Sequence, residues 1–306
     1  MKNNLLQTIL LGTSVADSLG VPVEFVPRSV LKENPVTEMQ EFGTYNMPKG
    51  TWSDDTSLTL CLAESIVEGL DLNKLAQKFI AWKNDNYWTA RGWVFDIGIG
   101  TRLAIQRLEK GELPEYAGGF EEMENGNGSL MRILPLITFT KDLPIEERYE
   151  WTKKVSSLTH AHVRSVMACF YYLEFAKKIM EGFDKGQAYK ELQKELLDFF
   201  VSKNINPMEI NKFNRLLVED ISIIGGQNIN SSGYVIDTLE ASIWCVLTTK
   251  SYKEATLKAV NLGHDADTTG AVTGGLAALI YGIETIPTEW LEVLARKEDI
   301  IHLCQK

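Results

Sequence analysis

What this chain lacks narrows its function quickly. It has no Cys-x-x-Cys pair. Its four cysteines, Cys61, Cys169, Cys245 and Cys304, are widely scattered, which supports neither a zinc site nor a disulfide framework. Three of them sit inside apolar helical pattern, where a free cysteine behaves as a small hydrophobe. Basic residues do not predominate: 31 Lys and Arg against 41 Asp and Glu give a net charge of −10. That argues against binding a nucleic-acid backbone, which wants clustered cations; an anionic nucleotide remains admissible if cations sit between it and the carboxylates. Period-two alternation is nearly absent, so a β-architecture is not expected. No apolar segment is long and uninterrupted, and no fixed repeat, low-complexity stretch or interdomain linker is present. Residues 1–306 therefore read as one all-α domain, with a hydrophobic content of 44% that suits a sizeable core. The start, Met1-Lys-Asn-Asn followed by Leu5, Leu6, Ile9, Leu10 and Leu11, imitates a signal peptide only superficially. Its apolar run is short and Asp17 follows soon after, so a first buried helix, a cytoplasmic location and no membrane association are expected.

The helical periodicity places helices at Leu5–Leu19, Thr56–Val67, Leu72–Trp82, Ile97–Leu108, Leu130–Phe139, His160–Met180, Gln187–Phe200, Pro207–Leu217 and Val235–Leu247. Three more are expected near 252–261, 269–281 and 288–296. Residues 26–51, with Pro27, Pro35 and Pro48, read as loop, and so do the glycine-rich stretches around 111–128 and 225–233.

Two short stretches carry the chemistry. Residues 50–57 read Gly-Thr-Trp-Ser-Asp-Asp-Thr-Ser, and residues 263–270 read Gly-His-Asp-Ala-Asp-Thr-Thr-Gly. Each sets a carboxylate pair and a hydroxyl immediately before an apolar segment. One such cluster is as well explained as a helix N-cap. Two, far apart in the chain, are what a site for two hard cations needs, because no single turn offers enough oxygens. The candidate ligands are Ser53, Asp54, Asp55, Asp265, Asp267 and Thr268. An oxygen-only set suits Mg²⁺, Mn²⁺ or Ca²⁺ and disfavours zinc.

These two stretches closely resemble the ADP-ribosylglycohydrolase family. So do Gly12–Gly20 through Glu24, Phe95-Asp-Ile-Gly98, Asn125-Gly-Asn-Gly-Ser-Leu-Met-Arg132, Thr159-His160-Ala161 and Ser232–Leu239, in the family's order over nearly the whole chain. The resemblance implies an all-α fold holding two divalent cations, Mg²⁺ or Mn²⁺. It implies a hydrolase that frees ADP-ribose from a modified protein, most readily from arginine, and a bacterial source. The family's first metal position is often Thr where this chain has Ser53; the hydroxyl survives.

By the same resemblance Asp55 grips a ribose hydroxyl or activates water, Glu24 serves as acid or base near the metals, and Asp96 lies near the scissile bond. From the residues alone, Glu24 reads equally as a surface charge and Asp96 as an N-cap for the helix at Ile97. Asn125, Gly126, Asn127, Gly128 and Ser129 fit a pyrophosphate cradle with a helix N-terminus behind it, although Asn-Gly is also a common turn dipeptide. Arg132 is expected to brace this loop. The resemblance puts His160 at the substrate, gives His162 no role, and has Tyr234 stacking on adenine unless it packs under its loop. His264 reads as a packing residue or one behind the ligands. Two alternatives stay open: a hydrolase of serine-linked or small-molecule ADP-ribose adducts, and a non-catalytic ADP-ribose-binding relative. The second is opposed by the intact set of six oxygen ligands.

Overall fold

The computed structural model describes residues 5–306; the opening Met1–Asn4 lies outside the described residues. Sixteen α-helices follow one another: α1 Leu5–Gly20, α2 Arg28–Glu33, α3 Asp54–Val67, α4 Leu72–Asp85, α5 Ile99–Glu109, α6 Ile137–Thr140, α7 Ile145–Ser157, α8 Val163–Met180, α9 Lys185–Ser202, α10 Pro207–Asn211, α11 Asn214–Leu217, α12 Val235–Leu247, α13 Tyr252–Val260, α14 Ala266–Tyr281, α15 Thr288–Val293 and α16 Lys297–Leu303. Among the described residues no strand forms, and pairing is limited to three isolated bridges, Phe42 with Met47, Gly119 with His160 and Gly126 with Tyr234. The fold is all-α, as expected.

The pair α1 and α14 is the centre of the molecule. Both are nearly fully buried, and a window of Leu5–Val23 that is apolar enough to span a membrane is 94% buried inside the protein. Small residues let the two backbones touch. A Cβ added at Gly12 would overlap Ala278, one at Gly274 would overlap Ala16, and one at Gly20 would overlap the backbone of Asp267. Tyr252 of α13 closes the packing by donating its hydroxyl to the Gly12 carbonyl at 2.7 Å. The consequence for function is positional. The C-terminal end of α1 and the N-terminal end of α14 are held together, so Glu24 and Asp267 arrive at one place.

Several helix boundaries differ from those read in the sequence, each for a local reason. The expected loop 26–51 contains α2, whose Arg28 side chain donates to the carbonyls of Leu262, Gly226 and Ile229. Of the expected helix 130–139 only the end is α-helical, as the start of α6 at Ile137; before it come turns and one 3₁₀ turn, Leu134–Leu136, where Pro135 has no N–H to give. Helix α7 lies in a charge-rich stretch whose apolar stripe is too thin to stand out. His160 precedes α8 rather than opening it, since His162 is the N-cap and its Nδ1 accepts from Arg164 N at 3.1 Å. The expected helix from Pro207 to Leu217 splits at Phe213, which is fully buried between α10 and α11. The last expected helix, 288–296, also breaks: Arg296 is left-handed and Ala295 N donates to the Gly50 carbonyl at 2.9 Å. That contact docks the C-terminal segment against the start of the 50–57 stretch. Cys61, Cys169 and Cys245 are free and buried, and Cys304 is half-buried.

Candidate active site and its carboxylate cluster

Ser53, not an aspartate, caps α3. Its Oγ accepts from Asp55 N at 3.2 Å, and the serine hydroxyl also reaches Asp55 Oδ2 at 3.0 Å. Asp54 and Asp55 occupy the first turn, where the helix dipole favours negative charge. Asp17, deep in α1, fixes this N-terminus from behind. Its carboxylate accepts from Ser53 N at 3.0 and 3.1 Å, from Thr56 N at 3.0 Å and from the Thr56 hydroxyl at 2.6 Å. The second stretch arrives at the N-terminus of α14, with Asp265 at the cap position and Asp267 and Thr268 in the first turn. It meets the first directly: Thr268 Oγ1 donates to Asp55 Oδ2 at 3.2 Å. All six candidate ligands therefore converge.

Glu24 and Asp96 join them. Carboxylate oxygens of Glu24, Asp96 and Asp267 lie within 4.8 Å of one another. Asp96 is not an N-cap: α5 starts at Ile99, its cap position is Gly98, and no side chain caps it. Tyr45, from the expected loop, brings its hydroxyl near Glu24 and Asp96, where burial and the charges of those carboxyls raise its pKa, and packs its ring on Phe95 at 4.9 Å.

Such a cluster is electrostatically costly as bare carboxylates. Burial, then Asp96, pushes the Glu24 carboxyl up to about 8. Burial pushes Asp17 up to about 7 despite its four hydrogen bonds. Asp54, Asp55 and Asp267 are raised well above the usual range, by burial first and then by the charges of one another and of Asp17, Glu24, Asp96 and Asp265. Burial likewise raises Asp96. Three buried oxygens, Glu24 Oε2, Asp55 Oδ1 and Asp267 Oδ2, have no hydrogen-bond partner. Buried polar atoms in proteins are normally paired. Unpaired carboxylate oxygens from three separate stretches, turned into one anionic cluster, fit hard divalent cations.

The cluster lies in a cavity of about 560 Å³ whose walls include Glu24, Asp54, Asp96, Asp265 and Thr268 together with Gly126, Asn127, Gly128 and His160. That volume suits a small-molecule ligand. Asn127 ties the glycine-rich loop to the cluster: its Nδ2 donates to Asp265 Oδ2 at 2.7 Å and to Thr238 Oγ1 at 2.9 Å.

Other expected ligand-binding residues stand behind this surface. Asn125 is held by Ser165 and by the Glu122 carbonyl. Ser129 is fully buried against Ser156 and Cys169. The Tyr234 ring packs on the Arg164 guanidinium, 5.8 Å from its centroid, and does not line the cavity. Arg132 does not brace the loop; its guanidinium donates to the Val155 carbonyl at 3.1 Å and to Thr159 Oγ1 at 2.8 Å. No helix begins behind 125–129. The helix N-termini that face the cavity are those of α3 and α14, through Asp54, Asp265 and Thr268, and that of α5, through Gly98, Ile99, Gly100 and Thr101. His264 is exposed and acts through its backbone, paired with Phe25 and Val26.

Tyr45, Asp17 and Thr101, whose buried hydroxyl lines the cavity without a partner, were not singled out from the sequence. Only Asp17 gave a signal there: an acidic residue within an otherwise apolar helix.

Comparison with known proteins agrees with this fold. The ADP-ribosylglycohydrolase family model matches residues 4–306. The ADP-ribosylarginine hydrolase Tri1 of Serratia proteamaculans is 31% identical over 301 residues, covering 97% of this chain and 77% of that protein. The ADP-ribosyl-[dinitrogen reductase] glycohydrolase of Rhodospirillum rubrum is 28% identical over 293 residues, covering 94% and 89%. A solved structure described as an ADP-ribosylglycohydrolase-related protein complex superposes with a TM-score of 0.80 at 29% identity, over 99% of this chain and 97% of that one. The match in sequence and in fold runs over nearly the whole length, and the chain belongs to the ADP-ribosylglycohydrolase family.

Proposed function

We propose that this enzyme is a divalent-cation-dependent hydrolase that cleaves the glycosidic bond between ADP-ribose and an arginine side chain of a modified protein. The observation that carries the reading is the convergence of the acidic stretches on unpaired, buried carboxylate oxygens at a ligand-sized cavity. The names of the relatives, an ADP-ribosylarginine hydrolase and a dinitrogen reductase glycohydrolase, support an ADP-ribosylated protein as substrate.

Ser53, Asp54, Asp55, Asp265, Asp267 and Thr268 would hold two cations, Mg²⁺ or Mn²⁺, with Glu24 and Asp96 beside them. Bound cations supply positive charge that orients a sugar diol and a water. The protein's own groups do the rest. Carboxylates around the sugar stabilise the oxocarbenium-like charge that develops as the bond breaks. Asp96, which lines the cavity, and Asp55, buried beside the candidate ligands, would serve in this role. Glu24, with its carboxyl raised to about 8 and its Oε2 unpaired, is suited to carry a proton near neutral pH. Gly126 and Gly128 would offer backbone N–H groups to the pyrophosphate, with the N-terminal end of α5 lining the same cavity, while the N–H groups of Asn127 are spent on Gly233, Asp265 and Thr238. Asn125, Ser129 and Tyr234 support that surface from behind.

Release of ADP-ribose from an arginine-ADP-ribosylated protein tests the proposal, in Mg²⁺, Mn²⁺ or EDTA, beside a serine-linked substrate and the Asp54→Ala, Asp55→Ala variant. Cation-dependent release from arginine that the variant loses is the expected result. Release from the serine adduct alone overturns the acceptor. Binding of ADP-ribose with no release from either overturns the enzymatic reading.

A further inference from the structure

Arg132 is fully buried, yet among the described residues no carboxylate pairs with it. Its Nη2 donates to the Val155 carbonyl at 3.1 Å and to Thr159 Oγ1 at 2.8 Å, and its face lies over the Phe79 ring at 4.8 Å. Thr159, also buried, sits 2.9 Å from His160 Nδ1. A guanidinium can only donate, so Thr159 Oγ1 accepts from it and must dispose of its own proton. The acceptor it has is His160 Nδ1. A protonated Nδ1 would leave the threonine proton buried and unpaired, which proteins avoid. The other ring nitrogen, Nε2, makes no hydrogen bond among the described residues. It faces backbone from which side chains have been removed: a Cβ at Gly100 would come within 3.0 Å of it and one at Gly126 within 3.3 Å, and one at Gly128 would stand 2.7 Å from the neighbouring Cε1. All three glycines and His160 line the cavity.

We infer that Arg132 is a positioning residue that acts through Thr159 to hold His160 in the neutral Nε2–H form, presenting one fixed N–H donor to an oxygen of the bound ligand. Ser156 fixes the His160 backbone, its Oγ donating to the His160 carbonyl at 2.8 Å and its carbonyl accepting from the His160 backbone N–H at 2.9 Å; the ring itself is held by Thr159 at Nδ1 and by the close backbones of Gly100 and Gly128. Burial, with the Arg132 charge behind it, also pushes the imidazole down to about 3, so this donor does not become an imidazolium at working pH. The assignment of the ligand oxygen to ADP-ribose rests on the function proposed above; the relay itself does not.

The protein has four histidines, so ¹⁵N-histidine labelling with His160→Gln for assignment gives a resolvable tautomer spectrum of the ligand-free chain. The wild type is expected to show His160 protonated on Nε2 and not titrating between pH 5 and 8. Thr159→Val, which keeps the side-chain shape and removes the hydroxyl, is expected to mix the tautomers and weaken ADP-ribose binding about tenfold. Thr159→Ser is expected to restore both. A wild-type His160 protonated on Nδ1 overturns the relay even if Thr159→Val proves unstable. So does a folded Thr159→Val with unchanged tautomer and unchanged affinity. An Nε2–H wild type that fails to bind ADP-ribose supports the relay and overturns the ligand assignment instead.

Discussion

Asp55 and Thr268, 213 positions apart in the chain, share a hydrogen bond: the threonine hydroxyl donates to Asp55 Oδ2 at 3.2 Å. The same oxygen is 3.0 Å from the Ser53 hydroxyl, while Asp55 Oδ1 is buried with no partner. Half of this carboxylate is thus committed to joining α3 to α14, and half is left for something the chain does not itself supply.

That division predicts opposite effects on stability and activity. Asp55→Asn keeps the shape and can still accept from Thr268 and Ser53, but it removes a charge crowded by burial and by Asp17, Asp54 and Asp265. Melting in EDTA is expected to rise by about 2–6 °C. Hydrolysis in Mg²⁺ or Mn²⁺ is expected to fall at least about a hundredfold, with weaker cation binding by calorimetry. A lower melting temperature in EDTA would mean that the carboxylate chiefly anchors the fold.

The same crowding gives a pH dependence. The Glu24 and Asp17 carboxyls are raised to about 8 and about 7 from ordinary values of 4.5 and 3.8. Between about pH 4 and pH 8 the cation-free folded protein therefore holds protons that the unfolded chain has released, and stability falls as pH rises. Bound cations favour the ionised carboxylates and oppose that fall. Melting temperatures across pH 5–8 in EDTA and in excess Mg²⁺ or Mn²⁺ should diverge as pH rises, the cation-bound protein being the more stable at pH 8. Parallel curves would show that the cluster does not bind these ions.

The site was legible in the sequence to the extent that its parts were local. Asp54 with Asp55, and Asp265 with Asp267, announce themselves because adjacent carboxylates need a reason. The helix α12 was read with its observed bounds because its apolar pattern is dense and a glycine-rich loop precedes it. Tyr45 gave no signal: it is a lone aromatic in a proline-punctuated loop, and its value comes from reaching Glu24 and Asp96, neither of them near it in sequence. Arg132 was misplaced for the same reason. Proximity in sequence suggested that it served the 125–129 loop, whereas burial turned it toward Thr159. Helix α7 was missed because charged residues dominate its composition, although its buried face includes Tyr149, Thr152 and Val155.

Two glycines of α1 separate stability from site geometry. A Cβ at Gly12 would overlap Ala278, far along α14 from the acidic turn, whereas one at Gly20 would overlap the backbone of Asp267 itself. Each alanine substitution overpacks the helix pair and is expected to cost about 1–3 kcal/mol in chemical denaturation. Only Gly20→Ala is expected also to weaken cation binding, by about tenfold or more, since it displaces a candidate ligand. Equal cation affinity in both variants would remove Asp267 from the set of groups that hold the metal.

Tyr45 connects the loop after α2 to the chemistry. Thr44 beside it donates to the Glu24 carbonyl at 2.7 Å, and a Cβ at Gly43 would overlap the Pro22 backbone, so the loop is seated tightly on the segment that carries Glu24. The Tyr45 hydroxyl lies near Glu24 and Asp96, and burial with those two charges pushes it far above its ordinary value of 10. It therefore remains a donor throughout the working range and helps decide which carboxyl keeps a proton. Tyr45→Phe preserves the ring on Phe95 and removes only the hydroxyl. Its expected signature is a kcat about tenfold lower with KM little changed, together with a shift in the pH at which kcat falls, because a donor hydroxyl beside the two carboxyls has been lost. A variant with raised KM and unchanged kcat would assign the tyrosine to binding the ligand rather than to tuning Glu24 and Asp96.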